Sequence, residues 1–220
     1  MSLVELLREP SGGTVRAFLE HWHGAPTRVA EPELDDGLPE PLRAFAASAR
    51  QWPAAICQNR FLDASDDLRD GDKRVFLVEN QGVYLWATDG AGVDPVVWGR
   101  FNEPDERWQA EREPLSRFLL QVVLFEAVFG SDHGAAASWI ALGELEAVLS
   151  PMKRLSLGSW RWPFEPAWFF TSEDTLAFVC PSGKWPGDPS DRFDIWIAAR
   201  TSEPLGRLAE LDVRWDREPS

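Results

Sequence analysis

Residues 74–100 read RVFLVENQGVYLWATDGAGVDPVVWGR, and this stretch decides the fold class. Val75-Phe76-Leu77-Val78 is a short continuous apolar run, the pattern of a strand covered on both faces. Asn80-Gln81-Gly82 follows with turn chemistry, because Asn and Gly reach positive φ at low cost. Val83-Tyr84-Leu85-Trp86-Ala87 then runs back in the β-branched and aromatic types that suit a pleated surface. A second Gly-rich turn over 88–92 leads into Val96-Val97-Trp98, so the stretch predicts a three-stranded meander. The other segments are expected to pack on that sheet.

On the N-terminal side, Val15, Phe18, Leu19 and Trp22 recur at i, i+3, i+4 and i+7, an amphipathic helix with Thr14 as N-cap and Gly24 as stop. Residues 25–37 read as an acidic, Pro-containing linker. Leu38, Leu42, Phe45, Ala46 and Ala49 repeat the helical period between Pro39 and Pro41 at one end and Pro53 beyond the other. Residues 59–73 read as a short strand or turn followed by an acidic loop. On the C-terminal side, Arg107-Trp108-Gln109 adds a short strand before the strongest helix, 114–129. That helix is apolar nearly all round, with Arg117, Gln121 and Glu126 as exceptions, so it belongs buried against the sheet. Pro114 suits its first turn, Glu111 and Glu113 the positive end of its dipole, and Gly130 its close.

Residues 135–149, rich in Ala and Leu, predict a further helix. Strands are expected over 168–170, 175–180 and 193–199, then a short helix over 205–211 and a last strand or tail at 213–215. The class is α+β: a mixed, largely antiparallel sheet flanked by helices, with an extended C-terminal half. One domain is expected over 1–220. It comprises an N-terminal helical segment and linker (1–37), a core (38–128), an extension or insertion (129–190) and a closing strand and helix (191–220).

A chain of 220 residues, 44% of them hydrophobic, has ample core and is not a disordered tail. No apolar run approaches the roughly 20 residues of a membrane-spanning helix. Glu5 interrupts the apolar start MSLVELL, which is too short for a secretory signal. With only Cys57 and Cys180, and no C-x-x-C pair, a cytoplasmic setting is expected. The net charge of −14 repels nucleic-acid phosphates and anionic membranes; by itself it reads first as a device for solubility, and alternatively as an attraction for basic proteins. The acids are clumped: Glu31, Glu33, Asp35, Asp36 and Glu40; Asp63, Asp66, Asp67, Asp70 and Asp72; Glu103, Asp105, Glu106, Glu111 and Glu113. Twelve tryptophans against one tyrosine point to some in recognition as well as packing.

Motifs for chemistry fail one by one. His21 and His23 lie i, i+2 on a helix and cannot share a metal, and His133 stands apart. The Asp66 to Leu77 window has Leu68 and Leu77 where a calcium loop needs oxygen ligands. Ser182-Gly183-Lys184 has Phe178 where a phosphate loop needs Gly and Trp185 where it needs Ser or Thr. No G-x-S-x-G elbow is present. Cys57 and Cys180 follow apolar residues and read as small core side chains. No catalytic, cofactor-binding or metal-ligating residue is assigned. Trp160-Arg161-Trp162-Pro163-Phe164, with Trp168 and Trp185, is the most distinctive aromatic cluster, and Pro163 and Pro166 place it in a loop or at a sheet edge. It reads either as a satellite core beneath that loop or as aromatic anchors for a partner.

The order of segments is informative too. Leu38-Pro39-x-x-Leu42-x-x-Phe45 opens a helix, then come Asn59-x-Phe61-Leu62, Glu79-Asn80-Gln81-Gly82-Val83-x-x-Trp86, Asp94-Pro95-Val96-Val97-Trp98 and Leu115-Ser116-x-Phe118-Leu119. Ile195-Trp196-Ile197-Ala198-Ala199-Arg200-Thr201, with Leu205 and Leu208, closes the set. This resembles the SUKH superfamily, the Smi/Knr-like proteins, over 38–128 and again over 193–211. The resemblance implies a mixed sheet flanked by helices, no catalytic residues, and binding of other proteins. Many bacterial members neutralise toxins, often nucleases, in this way. The expectation is a cytoplasmic immunity protein without cofactor that binds a basic toxin through Asp66, Asp67, Asp70, Glu103, Asp105 and Glu106, with Trp160, Trp162 and Trp185 as anchors. Two alternatives are a regulatory scaffold with a non-toxin partner, and an enzyme holding a small molecule in an aromatic-lined pocket.

Overall fold

The computed structural model describes residues 2–8, 10, 13–29, 37–62, 66, 68–183 and 191–220. Asp67 and Trp185, and the acids of 30–36, lie outside the described residues. The helices are α1 (Leu3–Leu6), α2 (Thr14–His23), α3 (Glu40–Gln51), α4 (Leu115–Gly130) and α5 (Leu142–Leu149), with 3-10 turns at Pro53–Ala55 and Glu203–Glu210. The strands are β1 (Asn59–Phe61), β2 (Arg69–Asp70), β3 (Lys73–Glu79), β4 (Tyr84–Thr88), β5 (Val96–Phe101) and β6 (Gln109–Pro114). After α4 come β7 (His133–Ala141), β8 (Lys153–Arg154), β9 (Trp168–Thr171), β10 (Thr175–Pro181) and β11 (Arg192–Ala199). The fold is α+β, with its strands shared between two sheets whose pairings are antiparallel. No helix among the described residues is long and apolar enough to cross a membrane.

The chain divides into two compact units, Pro10–Glu126 and Met1–Glu9 with Ala127–Ser220. The stretch expected as an extension and the closing strand together build the second sheet. β11 pairs with β7 and β10 and not with the meander.

In the first unit the strand order is β1-β3-β4-β5-β6, with β2 also pairing β3. Residues 74–100 fold as the expected meander, and the 80–83 connection is closed by Glu79, whose Oε2 accepts from Gln81 N (2.9 Å) and Val83 N (3.4 Å). Gly82 takes φ 75°, a region that glycine enters at no steric cost and most other residues avoid. One sheet face packs Phe76 and Trp86 on Phe118 of α4, both ring pairs 6.1 Å apart. The other carries Leu62, Val75, Val78, Leu85 and Ala87, with Trp108 against them. α2 and α3 are pinned by Trp52 Nε1 donating to Gly24 O (3.0 Å). Gly24 ends α2 as expected, but the N-cap position is Gly13, and Thr14 is the first helical residue.

In the second unit the order is β7-β11-β10-β9-β8. Phe178 and Trp196 sit opposite each other and gather Phe129, Phe164 and Phe169 on one face. The other face buries Ala135, Ala137, Ile195 and Ile197 with Leu145, Val148, Leu205 and Leu208. The helix expected over 135–149 is therefore half wrong: 133–141 is a strand and only Leu142–Leu149 is helical. Ala135 and Ala137 fit a closely covered sheet face, and that packing overrides alanine's helical preference. The C-terminal tail lies on the outer edge of β7, bridging Ala136 to Arg217.

Gly99 tests the packing of the first sheet. A Cβ there would collide with Glu111 Oε1 and lie 2.7 Å from Tyr84 Oη, and the Tyr84 ring is buried. Gly99→Ala should destabilise by roughly 1–3 kcal/mol. Gly143→Ala, with nothing within 4 Å of the new methyl, should be neutral or stabilise by up to about 1 kcal/mol. Denaturant unfolding of both variants checks the contrast, and an equal effect at the two positions would refute it.

Candidate partner interface

On β5 the side chains alternate, and the register places Trp98 opposite Ala87 and Arg100 opposite Leu85. Trp98 and Arg100 therefore share the face that carries Leu85, Ala87 and Trp108. The Arg100 guanidinium lies over the Trp108 ring, 4.9 Å from its centroid. Its Nη2 is 3.1 Å from Asp70 Oδ2, the atom that also accepts from Trp108 Nε1 at 3.0 Å. Nη1 donates to Phe101 O (2.8 Å) and Glu103 O (3.4 Å). One arginine thus ties β2 to the loop that carries the third acidic clump. Lys73 repeats the device, with Nζ 4.6 Å from the Trp98 centroid and 3.0 Å from Asp72.

Of the expected contact residues, Asp70 and Glu103 are brought together through Arg100, and Asp105 and Glu106 lie exposed on the same loop. Asp66 is exposed as well. Asp105 has φ 66°, a region Asp tolerates better than most residues. The tryptophans fare differently. Trp160 is only 2% exposed, with its ring edge-on to Phe169, so it is core rather than an anchor. Trp162 is half-buried on the same loop. Both belong to the second unit, whereas the acids belong to the first. Sequence reasoning missed Arg100, Trp98, Trp108 and Lys73; the available signal was the i, i+2 spacing of Trp98 and Arg100 on a strand.

Three groups with nucleophilic or acid–base chemistry have shifted pKa values. Burial pushes the Cys180 thiol up to about 12, with Asp194 adding to it. Cys57 is exposed, a correction to the expected core position, and its thiol is also raised by partial burial and the charge of Glu126. Burial lowers His23. Among the described residues no cluster of three or more His, Cys, Asp or Glu is arranged to hold a metal ion. A cavity of about 310 Å³ in the first unit is lined by Arg16, Glu40, Ser48 and Ser116 among apolar residues, with Phe45 its one ring. Arg16 is spent on Glu20 and Gln51, Ser48 Oγ on Ala44 O, and Ser116 Oγ on Asp94. A second cavity, about 180 Å³ in the other unit, has no aromatic lining.

Among the described residues the most buried carboxylate is Glu126, 1% exposed. Its Oε2 accepts from Cys57 N (2.6 Å) and Gln58 N (2.5 Å), and its Oε1 from Asn59 Nδ2 (2.7 Å). Burial raises its pKa, and the three donors offset part of the rise.

Comparison with protein-family models, with curated proteins and with solved structures finds no match to this chain.

Glu126 yields a pH prediction. Its folded pKa lies above the unfolded value, so the carboxyl is protonated in both states at low pH and costs nothing there. As pH rises past the unfolded value, the ionised native form loses stability relative to the unfolded chain. Glu126→Gln removes that dependence, since Asn59 can turn its amide to accept from the new side chain. The melting temperature of Glu126→Gln minus that of the parent should rise between about pH 4 and pH 7. Glu126→Ala strands two backbone donors and should cost about 2–4 kcal/mol throughout. A difference that is flat or falls with pH would refute the assignment.

Proposed function

We propose that this chain is a non-catalytic protein-binding module of the SUKH, Smi/Knr-like, type, and that it neutralises a basic protein toxin in the cytoplasm by direct binding. The residues of the resemblance support the family, and the exposed acids on the loop after β5 support the mode of action. The observation that carries the reading is the Asp70–Arg100–Trp108 arrangement. It engages Arg100 internally and leaves Glu103, Asp105 and Glu106, with Arg107 beside them, exposed on an anchored loop, so that three acids face solvent against one base.

Such a loop attracts a cationic surface over about one Debye length, roughly 8–10 Å at ordinary ionic strength. Each exposed charge contributes little by itself, so the effect falls mainly on association rate and on selection of partner. With a net charge of −14, the long-range pull on a basic toxin adds to this local complementarity.

Co-expression with the product of an adjacent toxin-like gene tests the reading: a complex that loosens as salt rises, together with rescue of growth, is expected. The variant Asp66→Lys, Glu103→Lys, Glu106→Lys with Asp105→Asn spares Asp70, whose carboxylate is structural, and avoids a lysine at positive φ. Its affinity should fall about tenfold to a hundredfold at low salt, with the gap closing at high salt. Unchanged affinity would place the interface elsewhere. A salt-sensitive complex without rescue of growth would favour a scaffold over an immunity protein.

A further inference from the structure

Among the described residues of the second unit, two large apolar side chains are markedly exposed, Trp139 at 59% and Leu142 at 52%. They stand on either side of Ile140-Ala141, and Ala141 is the residue that precedes α5. Trp139 has φ 60°, in the left-handed region that bulky residues avoid. The register explains how it is held. Ala137 sits opposite Ile195 and Ile140 opposite Phe193, so Ser138 and Trp139 together face the single residue Asp194. That is a β-bulge, a device that re-aims a side chain. Asp194 Oδ1 accepts from Trp139 N at 2.9 Å, and the same oxygen is fixed by the buried Ser182 hydroxyl at 2.5 Å.

The strained backbone is thus built in, while the indole it presents makes no hydrogen bond, ring contact or cation contact among the described residues. The tail covers the outer edge of β7 as far as Ala136, through Gly134 and Ala136 bonded to residues 216–220, and stops short of Trp139. Nearby charge is mainly acidic. Asp191 and Glu146 are exposed and Glu144 is half-buried, against Arg192, which is 3.8 Å from Asp191. A second copy of a chain with net charge −14 would meet repulsion there, whereas a cationic surface would not.

We infer that Trp139, with Leu142 three residues further along the chain, is an anchor that inserts into an apolar pocket rimmed by basic residues on a partner protein. The inference rests on the binding reading above and assigns that partner a contact in the second unit. The ring supplies the buried area of an interface hot spot, and the bulge presents it without the ordering cost of a flexible loop.

The experiment measures affinity for the purified product of any toxin-like gene found adjacent to that of this chain, with the parent chain, Trp139→Asn and Trp139→Phe. Asn suits the left-handed conformation, so Trp139→Asn should melt at the parent temperature or up to about 4 °C above it. Its affinity should fall about thirtyfold or more, while Trp139→Phe recovers most of the loss. A complex whose affinity is indifferent to Trp139→Asn overturns this inference and leaves the acidic-face reading standing. No complex with the parent chain overturns both. Sedimentation of the parent and Trp139→Asn completes the test: a dimer that Trp139→Asn dissociates would make a second copy the occupant and overturn the inference.

Discussion

A helix without a polar side must have each of its polar groups answered from within the protein, and α4 imposes that condition on this fold. Arg117 is met by Glu113 one turn earlier, at 2.6 Å. Glu126 draws in the backbone of 57 and 58 and the amide of Asn59. At the start of the helix, Asp94 accepts from both Ser116 N (2.8 Å) and Ser116 Oγ (2.7 Å), while Leu115 N reaches Pro95 O. A cap of this kind stabilises by about 1 kcal/mol and places a negative charge at the positive end of the dipole. It also fixes the turn that launches β5, the strand carrying Trp98 and Arg100. The geometry of the candidate interface is inherited from the need to bury one helix.

What the sequence made legible follows from how local each signal is. The 74–100 meander could be read because alternation, apolar runs and glycine turns act over a few residues. α4 could be read because an apolar stretch of that length exceeds any ordinary strand. The partners of α4 could not: Asp94 lies 22 residues before Ser116, and the donors to Glu126 lie 67 to 69 residues before it. Residues 135–141, expected as helix, are strand for a related reason. Their alanines favour a helix only while the neighbour is unknown, and β11 is supplied from the far end of the chain. Cys57 follows an apolar residue, yet its backbone amide serves the buried carboxylate while its side chain stays exposed.

The acidic clumps were visible as charge but not as free charge. Asp70 is 49% exposed and shares its carboxylate between Arg100 and Trp108, so it organises the face more than it advertises it. Asp72 is likewise engaged by Lys73. Glu103, Asp105 and Glu106 project outward on the loop that Arg100 anchors. The field at a distance comes from the summed charge, in which Arg100 offsets Asp70, while the acids that face water without such a partner set the local attraction a docking surface meets.

The tryptophans sort by the same logic. Trp86 and Trp160 are enclosed in the cores of their units, and Trp108 is half-buried with its indole N–H given to Asp70. A count of twelve could not separate these fates, because each depends on which way a strand or loop turns the ring. An exposed aromatic on a regular strand needs no special account, since the pleat puts every second residue outside. Trp139 differs in its backbone. Left to solvent, a residue at φ 60° would relax to an extended conformation; here Asp194 and Ser182 hold it in place. The free energy that presents the ring comes from the pairing of β7 with β11, so exposure at this position is a property of the sheet and not of a mobile side chain.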